Sequence, residues 1–368
     1  MRECRSLGVQ APGEPAVFPL PAPSLPPGGA VVETLYSGFS AGTEMTYVKG
    51  TDPGFTARRD PDLGVFLPGE SSRRYPIMAM GYMEVARVVE SQRPDLAMGS
   101  LVAAAYGHRS SHALGAADPA FAVPPDVDPL LGVYLAQMGP ISANGLLHAA
   151  AETRHAGEVT LADGVRDRCV LVTGGGVVGL LTALFSLHLG AREVALADPD
   201  PQRLAVAAAF GAEPVDTRAV EMWRWCKQRW TYSPGDHGAD VVFQCRGQTA
   251  VLHEALRSLR PQGTVIDLAF YQGGAPELRL GEEFHHNGLT LRCAQIARVP
   301  RGLAGTWNRR RLVEETGRLL AARGDLVRRH LVTDIVPLEQ APAVIQAVAR
   351  RERAALGLVI DFTAARGH

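Results

Sequence analysis

The feature that most constrains the fold is a cluster of four glycines directly after an uncharged, β-branched run. The stretch Gly174-Gly175-Gly176-Val177-Val178-Gly179 follows "RCVLVT" and fits the pattern GxGxxG. In a strand–turn–helix unit, the first glycine permits a tight turn, the second lets a phosphate approach the backbone, and the third allows close packing. The helix N-terminus then faces a pyrophosphate. The pattern therefore predicts a dinucleotide site with contacts from Gly174, Gly176, Val177, Val178 and Gly179.

The residues around this motif alternate between strand-like and helix-like segments. Runs such as "EVALAD", "ADVVFQC" and "GTVIDLAF" alternate with amphipathic segments such as "PQRLAVAAAFGA" and "VLHEALRSL". Strands that are buried on both faces have such largely apolar, β-branched sequences, so we predict a parallel sheet covered by helices. Residues 169–191 form a run of 23 positions without a charge, but the glycines interrupt it. We therefore expect a strand, a turn and a helix there, and no membrane span.

Asp198 ends the next strand-like run, 19 residues beyond Gly179. A carboxylate at this spacing accepts hydrogen bonds from the adenosine ribose hydroxyls. A 2′-phosphate beside that carboxylate would cost about 1 kcal/mol or more. We therefore expect NAD as the cofactor, with NADP disfavoured. Arg203 is the nearby cation, and it either covers the adenine or ribose or lies in solvent.

The first 130 residues follow a different pattern from the rest of the chain. The first 35 residues are rich in proline, and short β-like runs follow at 31–36, 85–89 and 101–105, separated by Gly, Pro and Asp. This pattern predicts a mostly antiparallel, barrel-like domain. The length of 368 residues is sufficient for such a domain beside a nucleotide-binding one.

Charge and cysteine content limit the partners of this chain. The 37 basic and 38 acidic residues nearly cancel and form no block of like charge, so we expect neither nucleic acid nor a membrane surface as a partner. The five cysteines are scattered and never in CxxC spacing, which favours reduced thiols in a cytoplasmic protein. The expected partner is a small-molecule substrate.

Several stretches together resemble the medium-chain dehydrogenase/reductase superfamily of zinc-type alcohol dehydrogenase-like proteins. Beyond the glycine motif they are "SGFSAGTE" (37–44), "GYMEVARVVE" (81–90), "GSLVAAAYGH" (99–108), "MGPISANGLLHA" (138–149) and "LVTDIVPLEQAPAVIQAV" (331–348). The resemblance implies an α/β protein with a GroES-like barrel-type catalytic domain at 1–145 and a Rossmann doubly wound parallel-sheet domain at 146–297. A C-terminal segment, 298–368, would return to the catalytic domain. The resemblance also implies NAD(P) dependence, a catalytic cleft between the domains and a homodimer.

The zinc ligands of that superfamily fall on unsuitable residues in this chain. By the resemblance, the first cysteine ligand falls on Ala41, the His-Glu pair falls on Tyr82 and Met83, and the last ligand falls near Gly139. Zinc takes thiolate, imidazole or carboxylate ligands at about 2.0–2.3 Å. The four-cysteine lobe that holds a structural zinc in the superfamily is also absent from the sequence. We therefore expect no zinc and no other metal.

Without zinc, hydride transfer needs a proton donor or a hydrogen-bonding group near the substrate oxygen. The resemblance places Thr43, Glu44, Tyr82, Tyr106 and His108 around the cleft, and we predict that Thr43, Glu44, Tyr82 and His108 are catalytic. Tyr106 is predicted to line the substrate pocket. Tyr82 is either the proton donor or a packing residue, and His108 is either an acid–base group or an exposed loop residue.

Four positions in the second half of the chain complete the predicted site. His285 and His286, in "EFHHNGLTL", precede the expected last strand of the nucleotide sheet. We predict a catalytic role for His286 and substrate binding for His285, with ordinary loop residues as the alternative. By the resemblance, Cys245 lies beside the cofactor, and Ala294 lies on the strand whose backbone holds the nicotinamide amide.

Three functions remain open from the sequence. The leading one is a zinc-independent NAD(P)-dependent oxidoreductase that transfers hydride between nicotinamide and a secondary alcohol or ketone of a polar small molecule. The second is a reductase of an activated C=C bond, as in the quinone and enone reductases. The third is a non-catalytic nucleotide-binding protein.

Overall fold

The computed structural model describes residues 3–153 and 157–363. Its strands are β1 Cys4–Ala11, β2 Glu14–Leu20, β3 Ala30–Gly38, β4 Ala57–Arg59, β5 Phe66–Pro68, β6 Glu84–Ser91, β7 Leu101–Ala104, β8 Ser111–Leu114, β9 Ala120–Ala122, β10 Cys169–Thr173, β11 Glu193–Asp198, β12 Glu213–Asp216, β13 Thr231–Ser233, β14 Asp236–His237, β15 Ala239–Gln244, β16 Leu259–Asp267, β17 Thr290–Cys293, β18 Asp334–Pro337 and β19 Leu358–Asp361. The helices are α1 Glu44–Lys49, α2 Met138–Ala150, α3 Val177–His188, α4 Pro201–Phe210, α5 Met222–Arg229, α6 Thr249–Ser258, α7 Arg309–Leu326 and α8 Ala341–Ala349.

The chain divides into two compact units. The first unit contains the residues up to Gln137 together with those from Val332 onward, and the second unit contains Met138–Leu331. The sequence-based boundaries after residues 145 and 297 lie elsewhere, because α2 packs against α3 and α7 and so belongs with the nucleotide sheet. The return of the chain to the first unit begins after α7, with β18, α8 and β19.

The second unit is built on a six-stranded sheet in the order β12-β11-β10-β15-β16-β17. Every neighbouring pair in this sheet is parallel. All five residues of β10 are buried, which explains the uncharged sequence of this central strand. Chain order reverses between β10 and β15, and open α/β sheets bind ligands at the carboxyl ends of strands at such a point. The predicted parallel sheet and the strand–turn–helix over 169–191 are confirmed.

The first unit is built on a seven-stranded sheet in the order β18-β19-β3-β6-β7-β9, with β8 also paired to β3. Its pairs are antiparallel except for β18 and β19. Alternate residues of β3, β6 and β7 form one core cluster: Ala30, Val32, Ala86, Val88, Val102 and Ala104. The strands predicted at 31–36, 85–89 and 101–105 are these three, so the mostly antiparallel first domain is confirmed. None of the described helices is long and apolar enough to cross a membrane.

Candidate functional site

The glycine motif forms the turn between β10 and α3. Gly174 has a φ of +89°, a left-handed conformation that side chains disfavour. A Cβ atom added to Gly179 would lie 1.9 Å from the carbonyl oxygen of Gly174, so the first turn of α3 could not approach the strand this closely. Glycine is therefore required at both positions by the geometry of the turn.

The N-terminus of α3 has room for a ligand in front of it. Gly176 is the N-cap of this helix. Apart from its chain neighbours, no atom of the described residues lies within 4 Å of a Cβ built on Gly176. The amides of Val177 and Val178 are in the first turn, where backbone N–H groups have no partner within the helix. This open, positively polarised helix end fits a pyrophosphate.

Asp198 holds the glycine turn against β11. Its Oδ2 accepts a hydrogen bond from the Gly175 amide at 2.7 Å, and its Oδ1 accepts one from the Asp200 amide at 2.8 Å. Nη1 of Arg203 lies 3.7 Å and Nη1 of Arg246 lies 3.9 Å from the same carboxylate. Sequence reasoning identified Arg203 but missed Arg246, because Arg246 comes from the turn after β15.

A cavity of about 420 Å³ lies beside the end of β11. Its lining includes Pro199, Thr217, Met222, Arg246 and Val251. The lining also includes Glu221 and Glu254, and its apolar side chains together with the Arg246 guanidinium suit a flat, aromatic ring. The cavity is therefore the candidate adenine subsite of the dinucleotide.

A row of polar side chains crosses the carboxyl ends of β10, β15 and β16. The Thr173 hydroxyl donates to the amide oxygen of Gln244, whose Nε2 lies 3.3 Å from the Tyr271 hydroxyl. That hydroxyl donates to Asp267 Oδ1 at 3.2 Å. Burial raises the pKa of Asp267 to about 6, against the lowering effect of hydrogen bonds from the Ala269 amide and Tyr271. The row was not predicted, since its members are adjacent only across strands.

Cys245 lies at the same edge of the sheet, directly after β15. Its Cβ is 3.5 Å from the position of a Cβ on Gly179, so it packs against the glycine turn. Burial strongly raises the pKa of the Cys245 thiol, which therefore stays protonated. These contacts suit a residue that shapes the cofactor site and do not suit a nucleophile.

The segment after β17 is fixed by an asparagine of α2. The amide of Ala294 donates to the carbonyl of Asp267 at 2.9 Å. Nδ2 of Asn144, a fully buried side chain, donates to the carbonyls of Gln295 at 3.0 Å and Arg298 at 3.2 Å. Asn144 thereby orders the stretch in which Ala294 was predicted to hold the nicotinamide amide. This ordering role of Asn144 was not predicted from the sequence.

In the first unit, the structure brings Tyr82, Thr43 and Glu44 together. The Tyr82 hydroxyl donates to Oγ of Ser40 at 2.5 Å. Burial and, second, the charge of Glu44 raise the pKa of Tyr82 far above its ordinary value, although hydrogen bonds with Ser40 and Thr43 oppose the shift. The phenol is therefore neutral and keeps its proton. Ser40 was not singled out from the sequence.

A buried polar network lies behind this pair of hydroxyls. His108 Nε2 is 2.6 Å from Glu44 Oε2, and His108 Nδ1 is 2.6 Å from Oγ of Ser37. The other Glu44 oxygen accepts a hydrogen bond from the Ser40 amide at 3.0 Å. Ser37 Oγ donates to Glu84 Oε1 at 2.9 Å. Glu44, Glu84 and His108 are all 0% exposed, so this is a network of buried ionisable groups.

The network makes His108 a positioning residue. Burial is the largest effect and lowers the pKa of His108, but the charge of Glu44 and its hydrogen bond, with a smaller contribution from Glu84, raise the pKa overall. Both ring nitrogens are engaged and the ring is fully buried, so a substrate cannot contact it. Breaking such a buried pair costs roughly 3–5 kcal/mol. His108 was predicted as an acid–base group or exposed loop residue, and the structure places it instead as support for the loop that carries Ser40 and Glu44.

Tyr106 has its polar atom satisfied within the first unit. Its hydroxyl lies 2.6 Å from Oγ1 of Thr34, and its ring stacks on His112 with 4.6 Å between the ring centroids. The ring also packs against the core cluster of this sheet. These contacts describe a packing residue and give no support to the predicted role in substrate binding.

His285 and His286 are exposed and lie in the second unit, whereas the Tyr82 group lies in the first. The two rings contact each other edge to face, with 5.3 Å between their centroids. Their predicted roles in substrate binding and catalysis remain predictions.

The residues at the predicted zinc positions of the first unit do not fit a zinc site. Tyr82 hydrogen-bonds with Ser40, while Ala41 is exposed and Met83 is in the core. The side chains that meet there are thus an aliphatic hydroxyl and a phenol, whereas zinc sites use thiolate, imidazole and carboxylate ligands.

The fourth predicted zinc position, Gly139 in the second unit, also does not fit a zinc ligand. A Cβ atom on Gly139 would lie 2.1 Å from Cγ2 of Thr316 on α7, so helix packing leaves no space for a ligand side chain. The residues at the four predicted positions thus do not fit a zinc site, and the absence of zinc from this chain stays a prediction.

The chain is similar to dehydrogenases in sequence and in fold. A family model described as zinc-binding dehydrogenase matches residues 177–309. D-guloside 3-dehydrogenase of Escherichia coli (strain K12) is 30% identical over 189 residues, which are 49% of this chain and 52% of that protein. The chain thus spans about half the length of the curated relatives it matches.

Solved structures match over almost the whole chain. Alcohol dehydrogenase TADH from Thermus sp. ATN1 has a TM-score of 0.74 at 21% identity, with 97% of this chain and 99% of that chain covered. A zinc-binding dehydrogenase from Sinorhizobium meliloti 1021 bound to NADP has a TM-score of 0.72 at 19% identity, with 98% and 100% covered. This chain is therefore similar to zinc-binding dehydrogenases in the sequence of its nucleotide domain, and it has the fold of these alcohol dehydrogenase-like structures.

Proposed function

We propose that this chain is a zinc-independent, NAD-dependent dehydrogenase that oxidises a secondary alcohol of a polar, hydroxyl-rich small molecule, and reduces the matching ketone. The observation that carries the proposal is the hydroxyl pair of Tyr82 and Ser40, 2.5 Å apart, at the position where zinc ligands fall in related enzymes. The match of residues 177–309 to the zinc-binding dehydrogenase model, the glycine turn and the helix end at Gly176 support the nucleotide half of the proposal.

The two hydroxyls can bind the reacting oxygen of the substrate. A hydroxyl hydrogen rotates to suit its surroundings, so Ser40 can donate to Tyr82 while Tyr82 donates to the substrate oxygen. Because the pKa of Tyr82 is raised, the phenol keeps its proton and is a neutral hydrogen-bond donor. Thr43 lies within hydrogen-bonding reach of the same phenol. A positioned donor of this kind contributes about a hundredfold to turnover.

The reaction balances without a metal. The nicotinamide, when bound, supplies the acceptor of the hydride that leaves the alcohol carbon. The hydroxyl proton leaves to solvent as the C–O bond becomes C=O, and in the reverse direction the carbonyl oxygen takes its proton from solvent while Tyr82 donates a hydrogen bond to it. Glu44 and His108 keep the loop of Ser40 in place through the Ser40 amide and the buried pair.

A sugar-like substrate and NAD are the specific choices within this proposal. The relative named D-guloside 3-dehydrogenase supports a secondary alcohol on a hydroxyl-rich molecule. Asp198 supports NAD, since its carboxylate would repel a 2′-phosphate. Arg203 and Arg246 are both within 4 Å of that carboxylate and are therefore partly neutralised by it.

Turnover of the Tyr82→Phe variant tests the proposal. Glycosides, polyols and their ketones are screened with NAD or NADH by the absorbance of the reduced cofactor. We expect kcat on the best substrate to fall about a hundredfold in Tyr82→Phe, with unchanged affinity for NADH. Tyr75→Phe is the matched control, since Tyr75 is another partly buried phenol of the first unit, which donates to the Tyr47 carbonyl.

Three outcomes would overturn the proposal. Full turnover by Tyr82→Phe would make Tyr82 a packing residue and remove the catalytic argument. Turnover of enones alone, with none of the alcohols or ketones, would assign the chain to the reductases of activated C=C bonds. A chain that binds NADH but turns over no member of the screen would be a nucleotide-binding protein.

A further inference from the structure

We propose a second ligand site in the nucleotide unit, a Zn²⁺ site formed by His253, Glu282 and Glu283. One ligand atom from each residue lies within 4.8 Å of those of the other two. Among the residues that the structure describes, this is the one group of three or more His, Cys, Asp or Glu side chains that meets this distance. It shares no residue with the Tyr82 network or the glycine turn.

Two of the three side chains have buried atoms without partners. Nδ1 of His253 and Oε2 of Glu283 are both shielded from solvent, and neither has a hydrogen-bond partner among the described residues. An imidazole nitrogen and a carboxylate oxygen left unpaired in this way are costly, so each such group needs an explanation. A bound cation would satisfy both at once.

The backbone allows two consecutive glutamates to converge on one point. His253 lies on α6, and Glu282 and Glu283 lie in the Leu280–Phe284 turn. Consecutive side chains of a regular helix point about 100° apart. Glu282 has non-helical dihedral angles, φ −93° and ψ −122°, which break the helical direction at this residue. Both carboxylates can therefore face His253.

The neighbouring arginines form only long or exposed ion pairs with the carboxylates of Glu282 and Glu283. Arg257 Nη1 donates to Glu254 at 2.7 Å and its guanidinium stacks over the Trp223 ring, so its contact with Glu283 Oε1 is a longer one of 3.5 Å. Arg279 pairs with Glu282 at 3.3 Å, but both side chains are more than half exposed. Exposed pairs of this kind contribute little and yield readily to a stronger ligand.

The chemistry of the three groups favours Zn²⁺. One imidazole and two carboxylates are ligands that zinc uses, at about 2.0–2.2 Å, with ligand atoms then about 3.4 Å apart around a tetrahedral ion. Side-chain rotations cover the remaining distance from 4.8 Å. A cavity of about 600 Å³ borders the three side chains and provides the entry path and space for a water as fourth ligand.

Calorimetric titration of the full chain with Zn²⁺ tests the site. We expect one ion per chain, a melting temperature that rises with Zn²⁺ concentration, and a visible d–d band when Co²⁺ is used as the probe. His253→Ala and Glu283→Gln should each weaken binding at least about 10–100-fold. His188→Ala removes an exposed histidine at the end of α3 and is the matched control, with wild-type affinity expected.

The variants separate this site from the proposed reaction site. Unchanged Zn²⁺ affinity in both His253→Ala and Glu283→Gln, or no stoichiometric binding in the wild type, overturns the inference and leaves the proposed function intact. Stoichiometric Zn²⁺ that persists in these variants but is lost in Tyr82→Phe overturns both, since the metal would then lie at the reaction site. Retention of dehydrogenase turnover in Glu283→Gln is expected.

Discussion

Replacement of Asp267 by asparagine should stabilise the protein. Asp267 ends β16 and is largely buried, and this burial raises the pKa of its carboxyl from 3.8 to about 6. Its Oδ1 accepts hydrogen bonds from the Ala269 amide at 3.0 Å and the Tyr271 hydroxyl at 3.2 Å. An asparagine oxygen accepts the same two bonds without the cost of a desolvated charge.

The magnitude follows from the pKa shift. A rise of about two units corresponds to about 3 kcal/mol between the protonated and ionised forms. Because the folded-state pKa is raised, the stability linked to Asp267 is present below pH 3.8 and is lost as the pH rises through about 6. The gain in Asp267→Asn should therefore be about 1.5 kcal/mol at pH 5 and approach about 3 kcal/mol at pH 8.

Urea unfolding of both proteins at pH 5 and pH 8 measures this gain. Asp216→Asn is a control with the opposite sign, because a hydrogen bond from Arg218 lowers the pKa of Asp216 to about 2. The reasoning is refuted if the stability difference between Asp267→Asn and the wild type does not increase with pH. Such a result would mean that Asp267 is solvated in the folded protein.

Three further predictions concern residues of the glycine turn, of β11 and of the buried network in the first unit. Gly179→Ala should abolish NADH binding in a fluorescence titration, because its Cβ would lie 1.9 Å from the Gly174 carbonyl oxygen. Gly273→Ala is the control and should bind NADH normally, because no described atom lies within 4 Å of a Cβ at that position. The pKa of His108 is raised, so its pair with Glu44 stabilises the protein fully below pH 6.5 and less as the pH rises. The melting temperature of the wild type should therefore exceed that of His108→Gln by less and less from pH 6.5 upward. A difference in melting temperature that does not change with pH would contradict this. Asp198→Ser should narrow or reverse the preference for NAD over NADP, and a calorimetric preference of the wild type for NADP would show that Arg203 and Arg246 dominate.

The nucleotide half of the fold was predictable because its signals are local. The turn of Gly174 and the close packing at Gly179 depend on residues within one strand–turn–helix unit, and each leaves its mark in six consecutive positions. Asp198 follows at a spacing set by the length of α3 and β11. The positions of these residues could therefore be predicted from short spacings in the sequence, without knowledge of long-range contacts.

The catalytic candidates were only partly predictable, since their roles depend on distant contacts. Tyr82 could be selected by comparison with zinc ligands, but its partner Ser40 is 42 residues away in the chain. The hydrogen bonds of His108 with Ser37 and Glu44 join two segments that are more than 60 positions apart in the chain. Glu84 stood in the conspicuous stretch "MGYMEV", and a glutamate between Met83 and Val85 was a signal that it is buried with a partner.

The proposed Zn²⁺ site could not be predicted from the sequence, because its residues are also distant in the chain. His253 and Glu283 are 30 positions apart, without the short spacing that identifies metal motifs in sequence. The convergence of Glu282 and Glu283 depends on one break in helical dihedral angles. Only the folded positions of α6 and the following turn bring these ligand atoms together.

The central claim is that hydroxyl groups of Tyr82 and Ser40, and not a metal, bind the reacting oxygen. The most direct test uses the Glu283→Gln variant, in which the proposed Zn²⁺ site is weakened, dialysed against a strong chelator and analysed for metal. We expect undiminished NAD-linked turnover of the best alcohol when the protein holds far less than one metal ion per chain. Turnover that disappears with the metal and returns when Zn²⁺ is added would contradict it.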